Sequence, residues 1–210
     1  MTEASQKALS ILRDPTQFSW YVVPIFVLVL YVYTSEIEKR NWNIILAGLA
    51  FWGMDWFNEI WNGLILHFTG RSAFWTTPGH SAYVILIGLN VEITLMFAIL
   101  GIVCIKMLPQ DKNLKVLGIP NRWFFAVTNS VLCVIVEIVL NALGALVWEY
   151  PFWNFPNVIL IFLIGYLPFM AVSFWVHDMT SRRRQLAVLA VIFGVDIIGI
   201  ALFMGLLHWI

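Results

Sequence analysis

Six apolar stretches, each of 18 residues or more, recur along this 210-residue chain and limit its fold more than any single motif does. A hydrocarbon core about 30 Å thick is crossed by about 20 residues of α-helix at about 1.5 Å per residue. Inside it, every backbone N–H and C=O must be satisfied by the chain itself, which leaves helices and closed barrels. A barrel would need alternating strands of about ten residues, and none is visible. Charged residues make up only 11% of the sequence and hydrophobic ones 61%, where a soluble domain has about 25% charged. The expected fold is all-α: a polytopic membrane helix bundle of about six transmembrane helices, preceded by a short N-terminal interfacial segment.

Residues 1–16 form that segment, with Ala4, Ala8, Leu9, Ile11 and Leu12 apolar and Asp14-Pro15 as its stop. Residues 17–210 form one transmembrane domain. Its spans are expected at about Gln17–Thr34, Asn43–Phe68, Ser81–Met107, Arg122–Val147, Asn157–Asp178 and Gln185–His208. No signal-peptidase pattern follows the first apolar run, so it reads as a retained helix. Pro168 should kink the fifth span. Cys104 and Cys133 both lie in apolar runs and read as small buried hydrophobes.

Lys and Arg set the orientation. The turns after the first, third and fifth spans hold Lys39, Arg40, Lys106, Lys112, Lys115, Arg122, Arg182, Arg183 and Arg184; the other side holds Lys7, Arg13 and Arg71. Nine against three places both termini outside by the positive-inside rule, in a bacterial inner or plasma membrane. Net charge is zero, which offers nothing to nucleic acid. Trp20, Trp42, Trp75, Trp123, Trp148, Trp153, Trp175 and Trp209 fall at span ends or loops, as an interfacial belt would. Trp52, Trp56 and Trp61 do not.

Those three lie in or beside WGMDWFNEIWN, residues 52–62, in the middle of an apolar span. At 100° per residue, Asp55, Asn58, Glu59 and Asn62 share one helix face, with Trp52 and Trp56 on or beside it. Carboxylates in hydrocarbon cost about 2.5–3.5 kcal/mol each on the insertion scale and mark functional sites by default. Glu92, Glu137 and Asp196 are expected near the middle of the third, fourth and sixth spans, accompanied by Asn90 and Asn141. Glu137 shares a stripe with Ser130, Cys133, Asn141 and Gly144. The candidate catalytic residues are Glu59, Asp55, Asp196 and Glu137. The candidate substrate-binding residues are Trp52, Trp56, Asn58, Asn62, Asn90, Glu92 and Asn141. With Asp55 and Glu59 one turn apart in a low dielectric, one of the pair is expected to keep its proton and serve as an acid.

An apolar second span with Asn and Trp around Glu59, following the charged turn Glu36–Arg40, resembles the small integral-membrane terpene cyclases of fungal meroterpenoid and indole-diterpene pathways. Those proteins have a chain of similar length, an essential Glu in the second span and an Asp near the chain end. The resemblance matches Glu59 to the Glu and makes Asp196 the candidate for the Asp. The family has seven spans where six and an interfacial segment are counted here. What the resemblance implies is protonation of an epoxide or alkene by a carboxylic acid, then cyclisation of the cation beside aromatic rings, a role for Trp52 and Trp56. The partner would be a membrane lipid or an isoprenoid, with no cofactor.

Two further readings stand beside it. In a proton-coupled transporter the carboxylates Asp55, Glu59, Glu92, Glu137 and Asp196 would form a relay, although no internal repeat is evident. In a structural or accessory subunit they would only glue helices together. A membrane zinc hydrolase of the alkaline ceramidase kind needs three converging histidines; His67, His80, His177 and His208 contain no HxxxH pair, so no metal site is expected. Phosphate loops and HExxH, CxxC and GxGxxG motifs are absent.

Overall fold

Helices dominate the computed structural model, which describes residues 1–210. In chain order they are α1 (Glu3–Ser10), α2 (Val22–Glu38), α3 (Trp42–Thr69), α4 (Val91–Lys106), α5 (Asn121–Ala142), α6 (Leu167–Asp178) and α7 (Arg182–Gly199). A π-helical turn, Ile161–Tyr166, leads into α6, and a second, Ile200–Leu206, extends α7. Three rods are long and apolar enough to cross a membrane: Asn121–Ala142, Ile161–Asp178 and Arg182–Leu206. The 17 residues of α2 and 16 of α4 are shorter. The 28 residues of α3 are long enough, but Asp55, Asn58, Glu59 and Asn62 interrupt its apolar character.

The bundle is organised around α3, which packs against α2, α4, α6 and α7, while α5 packs against α6 and the π turn before it. Close approach of α3 and α4 depends on Gly101, where an added Cβ would lie 2.8 Å from the Gly48 carbonyl oxygen and 3.0 Å from Phe51 Cβ. The perimeter is apolar: Val27, Leu28 and Tyr31 on α2, Leu132 and Val139 on α5, and Val191, Ile197 and Ile198 on α7 are all exposed. The polar residues Asp55, Glu59, Asn62 and Asp196 are buried. A polar centre inside an apolar surface is the distribution that hydrocarbon selects.

Several boundaries differ from the sequence expectation. Helix was expected from Ser81, but it starts only at Val91. Between them, β2 (Val84–Leu86) and β3 (Leu89–Asn90) pair as an antiparallel hairpin. The run Val84-Ile85-Leu86 suits a strand as well as a helix. Asn90 then starts α4 by accepting a hydrogen bond from the Ile93 amide at 2.8 Å. Helix was also expected through Val147 but stops at Ala142. Gly144, at φ +71°, turns the chain, and the Asn141 side chain donates to the Leu146 carbonyl at 3.1 Å. The first long helix begins at Val22 rather than Gln17, because Pro15–Gln17 form a 3₁₀ turn capped by Asp14. Hydrogen bonds from the Thr16 hydroxyl, the Thr16 amide and Gln17 hold the Asp14 carboxyl below its ordinary range. Pro168 lies in the first turn of α6, directly after the π turn.

The loops at one end are folded too. Trp75–Thr76 (β1) pairs antiparallel with Val147–Trp148, with Trp75 opposite Trp148. Across them lies α1, its Ala8 packed with Leu66, Ala73 and Ile87. Hydroxyls of Thr2, Ser5 and Ser72 all donate to the Glu149 carboxylate. The Arg13 guanidinium donates to the Ile85 carbonyl and, at 3.2 Å, to Ile210 O, so the two termini share this end. The opposite end carries the turns between α2 and α3, α4 and α5, and α6 and α7. There buried Glu36 accepts from Lys106 Nζ at 2.6 Å and from Asn41 Nδ2 at 2.7 Å. Arg122 grips Asp178 through two bonds, each of 2.9 Å.

Candidate functional site

The polar stripe of α3 is buried: Asp55 and Glu59 are each 3% exposed and Asn62 is fully enclosed. Asn62 acts as a clamp on the neighbouring loop. Its Oδ1 accepts from the amides of Phe74 at 2.9 Å and Trp75 at 3.3 Å, and its Nδ2 donates to the Trp75 carbonyl at 2.8 Å. Held in this way, Trp75 turns its indole N–H onto Glu59 Oε1 at 2.8 Å. Gly88 makes room for the pair: a Cβ there would lie 2.5 Å from the Trp75 ring and 2.6 Å from Glu59 Oε2. Trp153 stacks on Trp75 with ring centroids 5.6 Å apart, and Trp61 meets both edge-on. The Trp61 indole in turn donates to Asn58 Oδ1 at 2.8 Å.

Below these rings lies a cavity of about 40 Å³. Asp55, Asn58 and Glu59 of α3 line it, with Glu137 of α5, Phe97 of α4, and Tyr166 and Phe169 at the π turn and the start of α6. Trp75 and Trp153 close its loop side. No Lys, Arg or His lines it. Asp55 Oδ2, Glu59 Oε2 and Glu137 Oε2 are buried without a hydrogen-bond partner. Such orphaned oxygens are costly in a protein interior and call for a proton or a ligand. The π turn shapes one wall: its Gly165 carbonyl accepts a long bond, 3.4 Å, from Asn58 Nδ2. Single π turns are frequent at functional sites. No group of three His, Cys, Asp or Glu side chains is arranged to hold a metal ion.

The cavity therefore gathers Asp55, Asn58, Glu59 and Glu137 from the sequence-predicted set. Other members lie elsewhere. Trp52 and Trp56 do not line it; both indoles donate to Thr94 Oγ1 of α4, at 2.8 and 3.1 Å. Asn90 caps α4. Glu92 was expected near mid-span but sits in the first turn of α4, accepting from Ser81 Oγ at 2.9 Å, the Ala82 amide at 2.7 Å and the Tyr21 hydroxyl. Asn141 closes the end of α5 as described above. Asp196 is buried on α7, and neither carboxylate oxygen has a partner, yet it stands outside the cavity. Conversely, Trp75 and Trp153 were assigned to the interfacial belt but are buried in the site, and Tyr166 and Gly88 carried no sequence signal beyond their residue types.

A family model described as an uncharacterized membrane protein family matches residues 2–205. An uncharacterized protein of Archaeoglobus fulgidus is 53% identical over 209 residues, covering 100% of this chain and 99% of the relative. A second uncharacterized protein of the same archaeon is 46% identical over 55 residues, which is 26% of this chain and 98% of that relative. No solved structure matches.

Proposed function

The chain belongs to this membrane protein family, and from that premise we propose that its central cavity is an intramembrane acid–base site. Glu59 is the proposed proton donor, oriented by Trp75, and Asp55 and Glu137 are the groups that exchange protons with it. The observation that carries the reading is that three carboxylate residues line one aromatic-walled cavity, each with a buried oxygen that has no partner, and that no cation lines it to neutralise them. Packing alone does not need three acids around one cavity, since polar residues that join helices do so by pairing with one another. The rings of Trp75, Trp153, Phe97, Tyr166 and Phe169 surround the acids with π faces and edges, an environment suited to an apolar lipid or isoprenoid and to a cation formed from it. The terpene-cyclase-like reading is retained in that form, with these rings as the cage in place of Trp52 and Trp56. Nine cationic residues at one end against three at the other support a six-span arrangement in a plasma membrane with both termini outside.

A proton-coupled carrier is the second reading, favoured by size. A cavity of about 40 Å³ has room for about three waters at 10–15 Å³ each, whereas an isoprenoid enters only if the Trp75–Trp153 lid moves. One set of variants separates the readings: Glu59→Gln, Asp55→Asn and Glu137→Gln, expressed in membranes and checked for folding. Acid–base chemistry on lipid predicts that a product present in extracts of cells supplied with polyprenyl and epoxidised polyprenyl lipids disappears with Glu59→Gln. Identical lipid profiles for wild type and Glu59→Gln would overturn it. Loss of proton flux in proteoliposomes, with those profiles unchanged, would establish the carrier instead.

A further inference from the structure

A second concavity, of about 520 Å³, opens at the arginine-rich end of the bundle, well removed from the carboxylates. Its walls include Arg40 and Asn41 before α3, Asn43 at the start of α3, Lys106 at the end of α4, His177 at the end of α6 and Arg182 at the start of α7. This volume falls in the range of small-molecule sites, about 300–1,000 Å³.

Its charge is unbalanced. Around this end, nine Lys and Arg residues face four carboxylates, Glu36, Glu38, Asp111 and Asp178. The two carboxylates nearest the cleft are engaged: Glu36 with Lys106 and Asn41, and Asp178 with Arg122, Lys112 and His177. Neither Arg40 nor Arg182 has a carboxylate partner. Arg40 also holds a left-handed backbone conformation, φ +56°, where glycine or asparagine is the usual choice. The first turn of α7 contains Arg182, Arg183 and Arg184, with no acidic residue and no side-chain cap. That puts cations at the positive end of the helix dipole, a placement that an anion relieves. The walls are fixed relative to one another, because Gln185 of α7 bridges Asn43 of α3 at 3.2 Å and the Val176 carbonyl of α6 at 2.9 Å.

We propose that this cleft is an anion site for a phosphate or diphosphate group, gripped by the guanidinium groups of Arg40 and Arg182, with Lys106 and His177 as flanking donors. Guanidinium forks match phosphate oxygens two at a time, and an ammonium adds a point charge. The group can belong to an anionic phospholipid or to a soluble phosphate ester, and the test distinguishes the sources.

The full chain is placed in phosphatidylcholine nanodiscs and its thermal unfolding midpoint is followed during titration with inorganic pyrophosphate. A parallel series replaces phosphatidylcholine stepwise with phosphatidylglycerol. A midpoint that rises with pyrophosphate identifies a soluble ligand, and one that rises only with phosphatidylglycerol identifies a lipid headgroup. In either case, Arg40→Gln/Arg182→Gln should raise the half-saturating concentration about tenfold or more, through loss of two charge-assisted contacts. Arg183→Gln/Arg184→Gln, which removes the same charge outside the cleft, should change it less than about twofold. Arg182→Gln alone, an exposed substitution, should give an intermediate loss and guards against misfolding of the double variant. Equal losses in the two double variants would mean diffuse surface attraction and would overturn the site, as would no midpoint shift with either probe.

Discussion

Replacing Asn62 tests whether the loop above the cavity is pinned by α3 or merely lies over it. Asn62→Ala removes three hydrogen bonds, two accepted from the Phe74 and Trp75 amides and one donated to the Trp75 carbonyl. Each such bond contributes about 1 kcal/mol net, and groups left buried without partners cost about 1–3 kcal/mol each. The expected loss of stability is therefore about 3 kcal/mol or more, large for a single polar substitution. Asn62→Asp keeps the two accepted bonds but sets a carboxylate oxygen against the Trp75 carbonyl, so it should lose about 1–3 kcal/mol. Unfolding in mixed micelles, titrated with a denaturing detergent and read by tryptophan emission, measures both. Trp75→Phe completes a double-mutant cycle, because Asn62 holds the Trp75 backbone while the Trp75 indole holds Glu59. Coupling of about 0.5–3 kcal/mol is expected between residues linked in this way. A loss below about 1 kcal/mol for Asn62→Ala, or no coupling with Trp75→Phe, would refute the chain of contacts from Asn62 through Trp75 to Glu59.

Other substitutions probe the neighbouring parts. Gly88→Ala should destabilise by about 1–3 kcal/mol through overpacking against the Trp75 ring and Glu59, and a shift in tryptophan emission should accompany it. Gly101→Ala should cost a similar amount, about 1–3 kcal/mol, because its Cβ would press on the Gly48 backbone oxygen; the same unfolding titration checks it. Trp52→Phe and Trp56→Phe should each lose a hydrogen bond to Thr94 and part of their edge-to-face contact, about 1–2 kcal/mol, and leave the acid–base readout of the cavity unchanged. Arg122→Lys should lose about 1–2 kcal/mol, because an ammonium cannot reproduce the paired bonds to Asp178; proteolysis of the loop between α4 and α5 should then accelerate.

The helical stripe of Asp55, Asn58, Glu59 and Asn62 was legible because a period near 3.6 survives any tertiary context, and a carboxylate in an apolar run is a strong signal. Glu137 was legible for the same reason. Glu92 was not, since residues 84–86 are compatible with helix and strand alike; only pairing with Leu89–Asn90 decides between them. Its true place, in the first turn of α4 among loop donors, satisfies a carboxylate near the positive end of the helix dipole. Trp75 and Trp153 are buried although an indole in a loop ordinarily signals the membrane interface. Their burial depends on contacts more than ten residues away in sequence, with Asn62 for Trp75 and with Trp61 for Trp153.

Those distant contacts also explain why the stripe needs the loops at all. A carboxylic acid on a lone helix in hydrocarbon would be forced towards water or a partner. Here Trp75 supplies Glu59 with one donor and screens it from the loop side, while Glu59 Oε2, Asp55 Oδ2 and Glu137 Oε2, in three residues that line the cavity, are left without a partner. Fully satisfying the cluster would make it a structural network, and fully exposing it would hydrate it. Partial satisfaction beneath Trp75 and Trp153 leaves the cluster between those two states, the condition on which the proposed acid–base reading depends.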